Sequence, residues 1–293
     1  MKKILILIMT VASLYSCSDD SSKSDAYGNF EATEIYVSSE VNGKAVKLLF
    51  NEGDTFTNNA VLCVIDSTNF VLQRNQLFAK RAAALKGIKQ AELSVDVLKT
   101  QMTVLQKEYK RVNKMLKQQS ATQKQFDDID GQVKILDGRI KSADAQVQSA
   151  KAELAVLDAQ ISIINDQISK CTIKAPVSGT VLQKFREQGE LVMAGKPIYK
   201  IADLTNVYLR AYISGSQLSQ IKIGQKVTVL FDKDAKTNTS VQGVISWISS
   251  TAEFTPKIIQ TKQERVDLVY AIKVKVKNNG EIKIGMPGEV NFK

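Results

Sequence analysis

A short β motif occurs twice in this chain, and the two copies lie far apart. Val41-Asn42-Gly43 recurs as Val177-Ser178-Gly179, and Gly53-Asp54 recurs as Gly189-Glu190, at a constant offset of 136 residues. The apolar run from Val61 to Ile65 is repeated at the same offset as Pro197 to Ile201. In each copy, glycines at turn positions separate runs of Val, Leu and Ile that suit short strands. The repeat therefore predicts one β domain split into two halves, over 38–66 and 172–203.

The insertion between the copies has the pattern of two long helices. Apolar residues recur with alternating spacings of four and three from Ala84 to Leu116, and again from Phe126 to Ile168 without a missed position. Neither segment contains proline. Each predicts a helix with one narrow apolar stripe, and the short connection requires an antiparallel pair. We therefore predict an α+β multidomain chain with a coiled-coil hairpin over 67–171.

The turn of the hairpin is predicted near 118–122. Gln125 follows Thr122 at the spacing of a capping box, so the second helix should begin there and the first should end near Gln119. Each arm of about 45 to 50 residues would reach roughly 70 Å at 1.5 Å per residue. A rod of this shape spans distance and does not enclose a site.

Composition argues against catalysis. The chain contains no histidine, so the commonest general base and the commonest metal ligand are both absent. We predict a protein that is not an enzyme and that uses no metal or other cofactor. The net charge is +10, but the basic residues are scattered and not interleaved with aromatics, which argues against nucleic-acid binding. A positive exterior better suits a surface near anionic lipid headgroups.

The amino terminus has the features of a bacterial export signal. Met1-Lys2-Lys3 is basic, Ile4 to Ala12 is apolar but too short to span a membrane as a mature helix, and Leu14-Tyr15-Ser16-Cys17 follows. This quartet resembles a bacterial lipobox, which implies a lipoprotein signal peptide over 1–16, cleavage before Cys17 and acylation of that residue. An ordinary secretory signal with an incidental cysteine is the alternative. Residues 17–26 would form a polar tether.

The carboxyl-terminal third has the alternating pattern of an all-β region. Strands are predicted at Val207 to Ile213, Lys226 to Phe231 and Val241 to Trp247, and a small β-barrel is expected over 204–250. Residues 251–293 alternate, turn at 285–288 and end in a last strand. This strand is expected to pair with an early strand over 27–37 in a β-rich membrane-proximal domain, which would bring the two ends of the mature chain together.

These features together resemble the hemolysin-D-like membrane fusion proteins, the periplasmic adaptor subunits of tripartite efflux systems. The repeated motif resembles the halves of a biotinyl/lipoyl-like domain, and Val207 to Ile213 with Ile223 to Val227 resemble the adaptor barrel. Thr251 to Lys257, Asp267 to Tyr270 and Gly285-Met286-Pro287 are similar to the membrane-proximal region of the YbhG-like branch, which is paired with ABC-type exporters.

The resemblance implies a lipoprotein in the periplasm, anchored to the inner membrane, that links an ABC-type transporter to an outer-membrane channel. It also implies a homo-oligomeric ring, commonly of six copies, since one hairpin cannot enclose a channel. Arg111, Met115 and Thr122 fall at the spacing of the family's channel-binding motif, whose usual residues are Arg, Leu and Ser. The two departures keep a hydrophobe and a hydroxyl. In the other interpretation Arg111 is a solvated flank residue, Met115 packs locally and Thr122 is only an N-cap.

Other protein classes explain less of the chain. A lipoyl or biotin carrier needs a modifiable Lys on a tight turn between the two halves, and the helical insertion occupies that place. A plain coiled-coil scaffold leaves the repeated β motif unexplained. The nearest competitor is an adaptor of a proton-driven resistance-nodulation-division pump. The stretch from Thr251 to Lys257 favours the ABC-type partner.

Two cysteines lie in apolar strands, one in each half of the split domain. Cys63 and Cys171 could form a disulfide in an oxidising compartment, or they could be two small buried side chains. Both possibilities stay open, because a sequence does not give the Cα separation that a disulfide requires.

Small residues follow one outward face of the second predicted helix. With Phe126 at heptad position a, the f positions are Gly131, Gly138, Ala145, Ala152 and Ala159. An exposed helix face usually carries long polar side chains, and glycine there costs about 1 kcal/mol relative to alanine. The stripe predicts close packing by a neighbouring copy in the ring. Alternatively, the alanines are ordinary exposed helix formers and the two glycines are incidental.

Overall fold

The computed structural model of the protein describes residues 24–232, 237–254 and 268–292. Cys17, the predicted signal peptide and most of the predicted tether lie outside these ranges. The described chain begins with β1 (Ala26–Glu31), which belongs to a β-barrel. A split β domain and a long helical hairpin precede the remaining barrel strands. The predicted α+β multidomain fold class is confirmed.

The split domain consists of two four-stranded sheets to which both halves contribute. The first half supplies β2 (Glu34–Ser38), β3 (Gly43–Leu48), β4 (Thr55–Phe56) and β5 (Val61–Ile65). The second half supplies β6 (Thr172–Lys174), β7 (Gly179–Lys184), β8 (Leu191–Val192) and β9 (Pro197–Ala202). The strand orders are β2-β9-β7-β4 and β6-β5-β3-β8. Each sheet therefore mixes two strands from each half.

Equivalent strands of the two motif copies make equivalent pairings. β4 pairs with β7 through Thr55 and Thr180, and the equivalent β8 pairs with β3 through Leu191 and Lys44. The repeated glycines have the same left-handed backbone, with φ of 90° at Gly53 and 96° at Gly189, a conformation that favours glycine. The domain thus has a pseudo-twofold relation between its halves, which share one core.

Large side chains from both halves fill this core. Leu62 and Ile65 of the first half lie with Ile198, Tyr199 and Ile201 of the second, all fully buried. The Tyr199 hydroxyl donates a hydrogen bond to the carbonyl of Phe50 at 3.0 Å, which satisfies its polar atom inside the core.

The two cysteines are buried in the same core as free thiols. Burial raises the pKa of Cys63 to about 11, and it also raises the pKa of Cys171. The thiol of Cys171 donates to the carbonyl of Gln167 at 3.3 Å. Of the two interpretations left open by the sequence, the structure shows small buried side chains.

The hairpin consists of α1 (Thr68–Lys117) and α2 (Gln123–Lys170). Every seam position predicted from Ala84 to Leu116 and from Phe126 to Ile168 is buried or half-buried, so the predicted coiled coil is confirmed. Ion pairs join the helices along one side. Nitrogen to oxygen distances are 2.5 Å for Arg81–Asp158, 3.0 Å for Lys151–Glu92 and 3.9 Å for Lys99–Asp144. These side chains are about half exposed, so the pairs add little stability.

The remaining strands close a six-stranded barrel. They are β10 (Asn206–Ser214), β11 (Lys226–Asp232), β12 (Asn238–Ile248), β14 (Leu268–Lys277) and β15 (Pro287–Asn291), with β1 from the start of the chain. The order is β10-β1-β15-β11-β12-β14, and pairing of β10 with β14 closes the cylinder. The short β13 (Glu253–Phe254) adds to β14. Closure leaves no barrel strand with an unpaired edge among the described residues.

The strand pairing departs from the predicted division of the β region in two places. Segments 204–250 and 251–293 contribute strands to the same barrel, because β14 pairs with both β10 and β12. The single strand expected over 27–37 is instead two strands, β1 and β2, which are separated by residues 32–33. β1 enters the barrel and β2 enters the split domain, where it pairs with β9. Hydrophobic alternation runs through both strands and does not reveal which sheet each one joins.

The two ends of the described chain meet at the barrel, as predicted. β1 pairs with β15, the amide of Asp25 donates to the carbonyl of Val290 at 3.0 Å, and the amide of Phe292 donates to the Asp25 carboxylate at 2.8 Å. The barrel is therefore completed only when the first and last described segments come together.

Gly28 provides a test of barrel closure. A Cβ at this position would lie 1.8 Å from the carbonyl oxygen of Arg210, so Gly28→Ala forces strands β1 and β10 apart. We expect the barrel to lose about 1–3 kcal/mol of unfolding free energy. Denaturation followed by the fluorescence of Trp247, which lies on β12 and is the only tryptophan in the chain, measures this.

The matched control for this change is Gly87→Ala on α1. A Cβ there meets no atom within 4 Å, and alanine should favour the helix by up to about 1 kcal/mol. An unchanged Trp247 transition in Gly28→Ala would show that the close approach of the two strands does not constrain the barrel.

Candidate functional site at the hairpin tip

The first helix ends in a compact hydrogen-bonded turn. The amide of Gln119 donates to the carbonyl of Leu116 at 3.0 Å, and the amide of Ser120 donates to that of Met115 at 2.8 Å. These two bonds form a Schellman motif, in which glycine is the usual residue with positive φ. Here Gln119 takes that place with φ of 56°. A left-handed non-glycine residue costs roughly 1–2 kcal/mol, so the tip is a locally strained turn.

The second helix begins with the predicted capping box, which is confirmed. The Thr122 hydroxyl accepts from the amide of Gln125 at 3.3 Å, and the Gln125 side-chain oxygen accepts from the amide of Thr122 at 2.8 Å. Two amides that lack helical partners are satisfied in this way. The Thr122 hydroxyl therefore already has a structural role.

Two of the three predicted channel-binding residues lie together. Arg111 and Met115 line a groove of about 600 Å³ between the helices at the tip, opposite Asp128 of α2. Thr122 does not line this groove, although its neighbours Ala121 and Gln125 do. The structure thus brings Arg111 and Met115 into one surface and places Thr122 in the turn beside it.

Charges of both signs surround the groove. Arg111 is 69 % exposed and pairs with Glu108, one turn earlier on α1, and this pairing raises the pKa of the Arg111 guanidinium. Glu108 and Asp128 also line the groove. Neither carboxylate was predicted from the sequence. Glu108 could have been found, because side chains three residues apart meet on a helix surface.

The groove continues along the same side of the hairpin as an apolar depression. Val104, Leu105, Ile129 and Leu136 line this second groove of about 550 Å³. The two grooves share Glu108, Ile129 and Gln132. A charged end with an apolar continuation can recognise a protein surface, and the groove residues include no nucleophile paired with a general base.

The small-residue stripe lies on the outer side of α2. Gly138, Ala145, Ala152 and Ala159 are exposed, and Gly131 is half-buried. A Cβ at Gly131 or Gly138 would meet no atom within 4 Å, so contacts within one chain do not require glycine at either position.

Among the residues that the structure describes, no helix is both long and apolar enough to cross a membrane. The same residues contain no group of three or more Cys, Asp or Glu side chains that could hold a metal ion. The predicted lipidation site, Cys17, lies before the described ranges.

Comparison with known proteins gives local sequence similarity and a shared fold. The chain is 35% identical over 119 residues to a UPF0194 membrane protein of Acidithiobacillus ferridurans, covering 40% of this chain and 35% of that protein. It is 34% identical over 122 residues to the UPF0194 membrane protein YbhG of Salmonella gallinarum, covering 41% and 36%. The chain thus spans about a third of the length of these curated relatives.

A solved structure shows the same fold over most of the chain. The crystal structure of MacA from Actinobacillus actinomycetemcomitans matches with a TM-score of 0.61 at 22% identity, covering 90% of this chain and 76% of that one. This likeness extends the similarity from sequence to architecture, including the long helical hairpin.

Two family descriptions match nearly all of the described chain. Residues 203–292 match the LcnD-like C-terminal domain, and residues 33–204 match the barrel-sandwich hybrid domain of RND membrane fusion proteins. The second match alone covers more than half of the 293 residues. The split domain, its helical insertion and the barrel that follows are therefore those of a hemolysin-D-like adaptor, and the chain belongs to the membrane fusion protein family.

Proposed function

We propose that this protein is a lipid-anchored periplasmic adaptor that joins an inner-membrane ABC-type exporter to an outer-membrane channel for the efflux of small molecules. The observation that carries the proposal is the hairpin. Its helices of 50 and 48 residues form a rod of roughly 70 Å that ends in a charged groove. Such a rod transmits contact over distance, which is the task of an adaptor.

The transporter class rests on separate support. The resemblance of the Thr251 to Lys257 stretch to the branch paired with ABC-type exporters favours an ABC-type partner. The alternative is a proton-driven resistance-nodulation-division pump, and the matching barrel-sandwich domain is named for adaptors of that class. Export in cells separates them, because orthovanadate should stop an ABC-driven process and a protonophore should stop a proton-driven one first.

We predict that Cys17 carries the membrane anchor. The intact mass of the mature protein extracted from membranes should exceed that of residues 17–293 by an acyl-glycerol increment, since a thioether to lipid needs this thiol. Cys17→Ser should abolish the increment and leave the signal uncleaved. An unmodified mass for the wild-type protein would show that Cys17 carries no lipid anchor.

We predict that the tip groove contacts the channel through Arg111. Arg111→Asp reverses an exposed charge and should leave folding intact, while it replaces attraction by repulsion toward an acidic or carbonyl partner. Export and cross-linking to the channel should fall at least tenfold. Lys110→Asp is the matched control, because Lys110 is exposed on the neighbouring position and does not line the groove. Equal export by both variants would show that the groove is not the channel site.

We predict that the stripe Gly131, Gly138, Ala145, Ala152 and Ala159 packs against a neighbouring copy in a ring. Ala152→Arg or Ala145→Arg points away from the a/d seam and should leave helicity and melting of the monomer nearly unchanged. Cross-linked oligomers should decrease, and export should decrease with them. Ala155→Arg, an exposed position outside the stripe, is the control. Unaltered oligomers in the stripe variants would show that this face is an ordinary exposed helix surface and not an interface between copies.

A further inference from the structure

A cleft of about 980 Å³ lies between the split domain and the barrel. In the described chain these two domains are joined at two places, by residues 32–33 between β1 and β2 and by residues 203–205 between β9 and β10. Thr33 and residues 203–205 line the cleft, so it lies beside both connections. Small-molecule sites often occur between domains, and a cleft of this volume can hold a drug-sized ligand.

One buried asparagine fixes the barrel wall of the cleft. The side-chain amide of Asn278 donates to the carbonyls of Leu204 and Ile282, each at 2.9 Å. Its side-chain oxygen accepts from the amides of Gly280 and Ile282 at 2.9 and 3.1 Å. All four hydrogen bonds that this side chain can make are therefore formed, and they hold the loop 278–283 and the connecting segment in one arrangement.

The opposite wall is formed by paired strands of the split domain. In β4 and β7, Thr55 pairs with Thr180. The turn before β4 is held to β7 by backbone bonds, because the amide of Gly53 donates to the carbonyl of Val181 at 2.9 Å and the amide of Val181 donates to the carbonyl of Asp54 at 3.0 Å. Each wall of the cleft is thus fixed by hydrogen bonds within the described chain.

The two walls differ in polarity. The split-domain wall contains the apolar side chains of Ile35, Phe56 and Val177 among serine and threonine hydroxyls, and none of its lining residues is charged. The barrel wall contains Lys275 and Lys283. A ligand that matches both walls therefore has an apolar part and a negatively charged part.

The acidic residue that lines the cleft is already occupied by its neighbours. The Asp203 carboxylate accepts hydrogen bonds from the hydroxyl of Thr205, from the amide of Thr205 at 2.9 Å and from the side-chain amide of Asn206 at 3.0 Å. These bonds, with the Thr205 hydroxyl foremost, lower the pKa of Asp203. Both carboxylate oxygens are used in this way, so Asp203 does not pair with either lysine of the cleft.

Several donors on the cleft walls have no partner. Within the described residues, the Lys275 ammonium, the Tyr208 hydroxyl and the Thr55 hydroxyl make no hydrogen bond or ion pair. The Lys283 ammonium donates to the carbonyl of Gly280 at 3.0 Å and has two further protons to donate. Two lysines against one carboxylate give the cleft a net positive charge.

A second groove, on the outside of the barrel, has the opposite charge. It measures about 810 Å³ and is lined by Glu31, Asp232 and Glu289. Its arginine, Arg210, donates to both carboxylate oxygens of Glu253 at 3.0 and 2.9 Å, so this cation is already paired. Of the two, only the cleft between the domains combines unpaired cations with an apolar wall.

We propose that this cleft binds an amphipathic organic anion, with its acidic group at Lys275 and Lys283 and its apolar part against the split domain. A sulfonate, carboxylate or phosphate group accepts charge-assisted hydrogen bonds from ammonium groups, and the Tyr208 hydroxyl can donate another. The site goes beyond the adaptor function, because it requires neither an exporter nor a channel.

Protection of an introduced thiol tests the site in the purified full-length protein. Thr55→Cys places an exposed thiol in the cleft, and Thr57→Cys is the matched control, exposed two residues later and outside the cleft. The probe is naphthalene-2-sulfonate. At ten times its dissociation constant it should slow maleimide labelling at position 55 by about tenfold and leave labelling at position 57 unchanged. Equal slowing at both positions, or no slowing at position 55, would overturn the site.

Charge is tested by changing the ligand and the protein in turn. Naphthalene-2-sulfonamide has the same ring without the negative charge, and it should not protect position 55 at the same concentration. Lys275→Glu in the Thr55→Cys protein should raise the half-protecting sulfonate concentration about tenfold or more, since repulsion replaces attraction. Lys222→Glu, the same change at an exposed lysine outside the cleft, should not. Equal protection by the sulfonamide, or equal effects of the two glutamate variants, would show that the cleft does not recognise an anion.

Discussion

The antiparallel pairing of β5 with β6 is the contact on which the shape of this molecule depends. Val64 pairs with Thr172, and the amide of Ile65 donates to the carbonyl of Cys171 at 2.8 Å. β5 leads into α1 after two residues, and α2 ends next to β6, so both helices leave the same strand pair. A two-helix hairpin buries only one narrow seam and is marginal alone. The core shared by the two β halves holds the base of the hairpin together. This base sets the register of the two helices up to the tip.

Local and periodic features of the fold could be predicted from the sequence. The 136-residue repeat, the heptads and the Thr122 capping box each depend on neighbours along the chain or on one helix face, and sequence spacing records these directly. Closure of the barrel depends on β1 meeting β10 and β15 across the length of the chain, and alternation alone does not encode such partners. For this reason, one strand was predicted over residues 27–37 where there are two, and two β domains were predicted where there is one barrel.

The tip site was predictable to the same limited degree. Arg111 and Met115 share a helix, so their spacing places them on one surface. Asp128 belongs to the other helix and reaches the groove only through the register of the hairpin, while the Thr122 hydroxyl is taken up by its capping bond. The left-handed Gln119 was also hidden, since a glycine would mark that turn far more clearly.

The junction of the chain ends at the barrel has a mechanical consequence. Under the proposed anchoring, a pull from the membrane enters at Ser24 and runs along β1, which is bonded on both sides, to β10 and β15. Because β1 continues into β2 through residues 32–33, this force passes along the covalent backbone of β1 into the split domain, and the hydrogen bonds of β1 to β10 and β15 are not pulled open. β1 should therefore carry the tension between the membrane and a tip held by its partner, while the other strands of the barrel stay unloaded.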